Sequence, residues 1–282
     1  MITEEQKRAL NRSEKVQHFK EDQKLDRQEA KVRKSNIAVQ QARYSLSLQQ
    51  QKILCYLIAN CIKRSDTSET WITVSIRDMY AVFGQSDRSY ERAKSDFKTL
   101  RDKSWWIVTD GNKDRDVTVG FISKVEIYRN SQIIKFKWDE DMLPYLQDIK
   151  EKYTEYKLFY VLTMGSSYSV RLYELFKSVA NKTIWNFKID YLKKLLMAEK
   201  YVRFANFKQR VLTPAITEIN ERTDLNVTYE LFKYGDSGKV YSDIEFTVSF
   251  KTGDALKKID DNIRLELNAD QCEGQQTFDD IY

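Results

Sequence analysis

Histidine is almost missing from this 282-residue chain: His18, in a strongly charged N-terminal stretch, is its single copy. Single-strand nickases that bind metal through a His-x-His pair, recombinases with an active-site histidine and Ser/His/Asp hydrolases therefore lack their parts. Cysteine is nearly as scarce. Cys55, Cys61 and Cys272 have no CxxC spacing and no histidine beside them, which argues against a zinc module or a disulfide framework and fits a reducing, cytoplasmic compartment. Eight glycines and two prolines are too few for a sandwich or a turn-rich barrel and favour long helices with compact connections. The one Gly-Lys pair, Gly238-Lys239, is preceded by Lys233 where a phosphate-binding loop needs its first glycine, so an ATPase of that class is excluded. The longest nearly apolar stretch, 53–62, includes Asn60 and falls well short of the ~20 residues that span a bilayer. Charge from Glu4 onward leaves no secretory signal, and no membrane is expected. The acidic clusters Asp139-Glu140-Asp141 and Asp260-Asp261 read as helix-dipole and solubility features. With nothing to activate one of the 17 tyrosines, the chain is expected to be no enzyme and to use no cofactor or metal.

What is present is enough apolar and aromatic surface, 41% and 13% of residues, for two ordinary cores. Lys plus Arg number 47 against 42 Asp plus Glu, a net +5. Residues 1–34 carry ten basic and seven acidic residues and residues 251–282 carry four and eight, so the positive field sits on the middle of the chain and an acidic tail follows.

Apolar spacing predicts a helix over 46–64 capped by Ser47, a strand over 71–75, a short helix over 76–83 and a second helix over 87–103. Strands follow at 107–110, 117–128 and 132–138. The second half repeats the order: a helix over 167–180, a strand over 183–187, helices over 190–197 and 200–222, and strands over 226–233 and 239–250. At an offset of 113, Ile76, Met79, Val82 and Phe83 fall on Ile189, Leu192, Leu195 and Leu196. This order is that of a winged helix, in which a short helix supports a second one able to enter a major groove; the same order would also make a small α+β domain with no nucleic acid.

The fold class is thus expected to be α+β, two tandem winged-helix domains related as an internal repeat. The expected plan is a charged segment over 1–34, helical or disordered and without a core, a first domain over 35–140 for dimerisation and auxiliary DNA contact, a second over 141–250 for the main DNA binding, and an acidic tail over 251–282.

Between Lys193 and Arg210 lie six bases and one acid, Glu199. Lys200, Arg203, Asn206 and Arg210 share about one helical face, and Phe204, Phe207, Val211 and Leu212 lie opposite. Arginine can take guanine in two hydrogen bonds and Asn or Gln can take adenine, while lysine more often meets phosphate. Asn206, Gln209 and Arg210 are therefore candidates for base reading, and Lys193, Lys200 and Lys208 for backbone contact; a plain solvated basic face is the competing reading. The equivalent helix over 87–103 has six bases and four acids, with Arg88, Ser89, Arg92 and Lys94 near its start, and weaker, phosphate-directed contact is expected there. Lys113 and Arg115 in one turn, and Lys233 and Lys239 in the other, could place wings over phosphates.

The chain also resembles the iteron-binding replication initiators (Rep proteins) of theta-replicating plasmids, over about residues 32–250. The resemblance rests on Val32-Arg33-Lys34-Ser35-Asn36 followed by Ala42-Arg43-Tyr44-Ser45-Leu46, on Ser167-Tyr168-Ser169-Val170-Arg171-Leu172-Tyr173-Glu174-Leu175, and on Phe207-Lys208-Gln209-Arg210-Val211-Leu212 continuing to Glu218-Ile219-Asn220. It implies two tandem winged helices, binding of double-stranded direct repeats by monomers that helps open an origin, autorepression by dimers at an inverted repeat, and host initiator and replicative helicase as partners. It puts the strongest base contacts on the helix with Arg203, Lys208 and Arg210, and a self-association surface in the first domain. The residues offer a candidate for that surface: 132–138 alternates, with Ile133, Lys135 and Lys137 on one side, and its edge could pair between copies or be interior to the wing. Arg171 is expected to be ion-paired inside a helix packing. A transcription regulator of the same fold is the alternative function.

Overall fold

Four strands in this chain turn straight into helices, with extended backbone at each junction. The structure, a computed structural model, describes residues 26, 29–62, 71–83, 90–107, 117–146, 149, 152–180, 184–233 and 241–279, the last twelve as backbone only. At the end of β1 (Lys31–Ser35) the Ser35 hydroxyl accepts from Ala38 N (3.2 Å) and starts α1 (Asn36–Gln40). After β2 (Ala42–Arg43) and α2 (Leu48–Ile62), Ser75 at the end of β3 (Ile72–Ser75) does the same for α3 (Ile76–Val82), accepting from Asp78 N. Each hydroxyl satisfies one of the amides that a helix start leaves bare.

In the first unit α2, β3, α3 and α4 (Tyr90–Asp102) are followed by β4 (Ser104–Ile107), β5 (Val117–Gly120) and the hairpin of β6 (Ile122–Tyr128) and β7 (Ile133–Trp138). The sheet order β3-β7-β6 puts β7 in the middle, antiparallel to both neighbours. The stretch 117–128, expected as one strand, breaks at Phe121. β5 pairs with β4 in a side sheet of order β2-β4-β5, and the buried Phe121 ring wedges between Tyr44 (5.7 Å) and Trp105 (5.6 Å). Gly120 sits where a Cβ would come within 2.6 Å of an Asp139 carboxylate oxygen, so a side chain there would clash. The predicted strand 107–110 begins three residues earlier, at Ser104. Lys113 and Arg115 lie outside the described residues.

After a 3-10 turn (Glu140–Tyr145), β8 (Tyr153–Lys157) leads into α5 (Leu158–Leu162) and α6 (Ser167–Val179). The second unit adds β9 (Ile184–Lys188), α7 (Ile189–Leu195), α8 (Phe204–Phe207), a π-helical turn (Lys208–Leu212), α9 (Thr213–Arg222), and the wing strands β10 (Leu225–Phe232) and β11 (Asp243–Phe250). Its sheet order, β10-β11-β9, copies that of the first unit, with the last wing strand again central. The repeat expected at an offset of 113 is visible in the core: Ile76, Met79 and Val82 of α3 and Ile189, Leu192 and Leu195 of α7 are buried at matching positions. Two winged-helix units in an α+β chain are therefore present, and the predicted long helix over 200–222 begins at Phe204 and contains the π turn.

Three expectations about the ends change. Residue 34 does not close a coreless segment, because β1 begins at Lys31 and pairs antiparallel with β8, Lys31 opposite Lys157 and Ser35 opposite Tyr153. At an offset of 122, Lys31, Arg33 and Ser35 correspond to Tyr153, Glu155 and Lys157, so the strand pair is its own two-fold image about Arg33 and Glu155. The acidic tail forms α10 (Gly253–Asp279) and docks: Ile263 and Leu267 are buried, and Asp260 accepts from Lys157 Nζ (2.8 Å) and Tyr160 Oη (2.7 Å). Finally, no clean boundary falls at 140, since α6 packs against α1, α2 and β8 on one side and α9 on the other. Residues Ser169 to Phe176 are buried without a break, as in a helix enclosed by core.

Candidate nucleic-acid interface

The loop after α7 is fixed from inside. Met197 takes a left-handed conformation (φ 52°), Ala198 N donates to Lys193 O (2.8 Å) and Tyr201 N to Ala198 O (3.0 Å). Lys193 was expected to meet DNA backbone, but it is only 7% exposed; its ammonium donates to Val202 O (3.2 Å) and lies near the Phe207 ring. Charge alone had suggested a phosphate contact, whereas a lysine on the apolar side of α7 braces the loop.

Arg203 then caps the helical run 204–222 with its carbonyl, which accepts from Asn206 N and Phe207 N. Phe207, Val211, Leu212, Ala215, Ile216 and Ile219 are buried and anchor the run, while Lys200, Arg203, Ala205, Asn206, Lys208, Gln209 and Arg210 are exposed. Phe204 is half-buried, packing on Phe207 and, at 5.6 Å, on Tyr241 beside the wing. Lys200, Arg203, Asn206, Lys208, Gln209 and Arg210 are thus all exposed, with no carboxylate from Lys200 to Thr217 in the sequence. Such a surface can place guanidinium and amide groups at base edges and ammonium groups at phosphates.

Lys233, at the base of the second wing, is exposed with its ammonium over the Tyr241 ring (4.9 Å); Lys239 lies outside the described residues. In the first unit Arg88 and Ser89 also lie outside them. Arg92 is half-buried, its guanidinium over the Tyr80 ring (5.8 Å), and Tyr80 Oη donates to Asp96 (2.9 Å). Burial pushes the Asp96 carboxyl up, against the pull of Tyr80 and Arg92. Lys94 is exposed, and Lys98 and Arg101, which sequence reasoning counted without singling out, continue its stripe at four and seven residues on.

The self-association strand is a correction. β7 is paired on both edges, Lys135 facing Thr73 of β3 and Glu126 of β6, so Ile133, Lys135 and Lys137 do not border a free edge. The alternation itself holds, with Ile134, Phe136 and Trp138 buried. A proline at Lys135 would break the middle of the sheet rather than unlink two copies.

The other motifs that carried the resemblance converge on a buried ion cluster. Glu174, fully buried, accepts from Lys34 Nζ (2.5 Å), Arg171 Nη1 (3.1 Å) and Tyr156 Oη. Arg171 also donates to Ala42 O (2.9 Å) and lies over the Tyr44 ring at 4.5 Å. Burial by itself would raise the Glu174 carboxyl, but the Lys34 and Arg171 cations, with hydrogen bonds from Lys34 and Tyr156, hold it below the usual carboxylate range. The Cys55 thiol at the edge of the cluster is pushed up by burial. In the last motif Glu218 accepts from Gly165 N (2.6 Å), and Asn220 exchanges two hydrogen bonds with Val227 at the start of β10. Arg43 reaches from β2 to the second unit, donating to Lys194 O (3.1 Å) and pairing with Glu199 (2.6 Å).

Comparison with known proteins agrees with this geometry. The family model described as "Initiator Replication protein, WH1" matches residues 31–177, and "Initiator Rep protein, WH2" matches residues 188–248. A replication initiation protein of Escherichia coli is 25% identical over 157 residues, 53% of this chain and 48% of that protein, so the chain spans about half the length of this curated relative. The Pi initiator protein, solved in complex with iteron DNA, shares the fold with a TM-score of 0.63 at 19% identity, over 80% of this chain and 99% of that one.

Proposed function

Because this chain belongs to the initiator replication protein family, with its two winged-helix domains in order, we propose that it binds repeated double-stranded DNA sites at a replication origin and helps to open them. The observation that carries this reading is the exposed run of Lys200, Arg203, Asn206, Lys208, Gln209 and Arg210, with no carboxylate from Lys200 to Thr217 in the sequence, held on an apolar anchor beside a wing. Asn206, Gln209 and Arg210 read bases; Lys200, Lys208 and Lys233 meet phosphates. Lys94, Lys98 and Arg101 of α4 add phosphate contacts from the first unit, so two groove faces are engaged by one monomer. Host initiator and helicase then act on the opened DNA.

Self-association belongs to the first unit but to another strand. β6 is the outer strand of its sheet, and among the described residues its outer edge is unpaired. Antiparallel pairing of two such edges gives a two-fold dimer matched to an inverted-repeat operator, where it represses its own gene.

Footprinting on the DNA flanking the gene tests the reading: protection at evenly spaced direct repeats supports it, and protection confined to one inverted repeat favours a regulator without initiator activity. For the dimer, amide exchange over residues 122–128 slows as protein concentration rises; unchanged exchange across a monomer to dimer transition places the interface elsewhere.

A further inference from the structure

Val202 is 84% exposed, the most exposed large apolar side chain among the described residues. A β-branched hydrocarbon in water gains nothing for the fold, yet the main chain around it is held with unusual care. The buried Lys193 ammonium takes its carbonyl at 3.2 Å, Tyr201 N is tied to Ala198 O, and the next residue, Arg203, begins the helical run. The backbone is thus fixed from the core side while the side chain stays in solvent. Its neighbours Lys200 and Arg203 are exposed cations, and Ala205, the first exposed residue of α8, is a second bare methyl. The amides of Asn206 and Gln209 follow.

Thymine is marked in the major groove by a C5 methyl, and adenine by an N6 donor beside an N7 acceptor. A bare hydrocarbon next to a side-chain amide, flanked by phosphate-seeking cations, is the chemistry that distinguishes A·T from other pairs. We infer that Val202, with Ala205 beside it, reads thymine methyls, and that the base pairs beneath the start of this helix are A·T with adenine held by Asn206 or Gln209. Lys193 is a positioning residue that holds the Val202 loop. The inference rests on the proposed DNA binding by this helix and specifies the bases it selects.

The test uses the full chain and a cognate duplex selected from a random library. Each thymine of that duplex is replaced in turn by deoxyuridine, which removes only the methyl. At one or two positions the native chain loses about three- to fivefold in affinity, the effect of one buried methyl. Val202→Ser binds the thymine duplex that much more weakly and does not respond to uracil there. Lys193→Met, which keeps the apolar stem, shows a reduced response to uracil with the helix content unchanged, while Lys194→Met responds like the native chain. Specific binding with no uracil-sensitive position, or with sensitivity retained in full by Val202→Ser, overturns the inference and leaves DNA binding standing. Failure of the library to yield any preferred sequence overturns both.

Discussion

α4 and the run 204–222 occupy the same place in the two units, after the short helix and before the wing, yet their cations are differently employed. Around α4 part of the charge is held in pairs and ring contacts, while Lys94, Lys98 and Arg101 stay exposed. Glu91 pairs with Arg129 of the wing turn at 2.7 Å, the Arg129 guanidinium covers Tyr90 at 4.6 Å, and Arg92 lies over Tyr80 near Asp96. In the second unit the exposed groups Arg203, Asn206, Lys208, Gln209 and Arg210 face no acid on their own segment. One scaffold therefore carries a basic run interrupted by acids in one copy and a run free of them in the other, and the difference lies in a few carboxylates rather than in the fold.

The largest effect that separates scaffold from surface should come from the buried cluster. Glu174→Gln leaves Lys34 and Arg171 buried without their carboxylate and is expected to cost about 3–5 kcal/mol of stability, read as a lower denaturant midpoint. The pH dependence follows with it. The folded Glu174 carboxyl lies below its ordinary value of 4.5, so it contributes stability that is present above that value and lost as pH falls through the lower, folded one. Glu174→Gln should flatten the acid limb of the stability curve by up to ~1.4 kcal/mol per pH unit.

Next in size, Arg210→Ala should cost ~1–3 kcal/mol in binding to the cognate duplex and much less on a scrambled one, whereas Lys200→Ala weakens both alike, in gel-shift titrations. Equal losses on both duplexes for Arg210→Ala would make the second surface as unspecific as the first. Replacing Lys94, Lys98 and Arg101 with Gln together should lower the salt dependence of binding by up to about three phosphate contacts and leave the preferred sequence unchanged. The smallest effect is expected from Arg43→Ala, which removes a half-exposed pair with Glu199 and should change stability by less than ~1 kcal/mol.

The exposed basic side of the run 204–222 was legible in the sequence because a helix with one apolar and one basic face announces itself by period, and one π turn does not move Asn206 or Arg210 from solvent. The repeat of α3 in α7 was legible for the same reason. Lys34 and Lys193 were not: Lys34, among polar residues, reads as surface until its carboxylate 140 residues later is known, and Lys193, beside a second lysine in a basic window, reads as exposed charge although it lies on the apolar side of α7. The same holds for β7, whose alternation is local but whose central place depends on β3, far away in sequence. The docked face of α10 was available as Leu256, Ile259, Ile263 and Leu267 at helical spacing, and the surrounding acids obscured it.

α6 and the clasp of β1 with β8 leave the two units without a seam. A cut before Ser167 would leave Lys34 and Tyr44 of the first unit without Glu174 and Arg171, and a cut after Val179 would leave α9 without the helix it packs on. Melting should accordingly proceed as one calorimetric transition, because neither unit can open without baring groups that the other keeps buried.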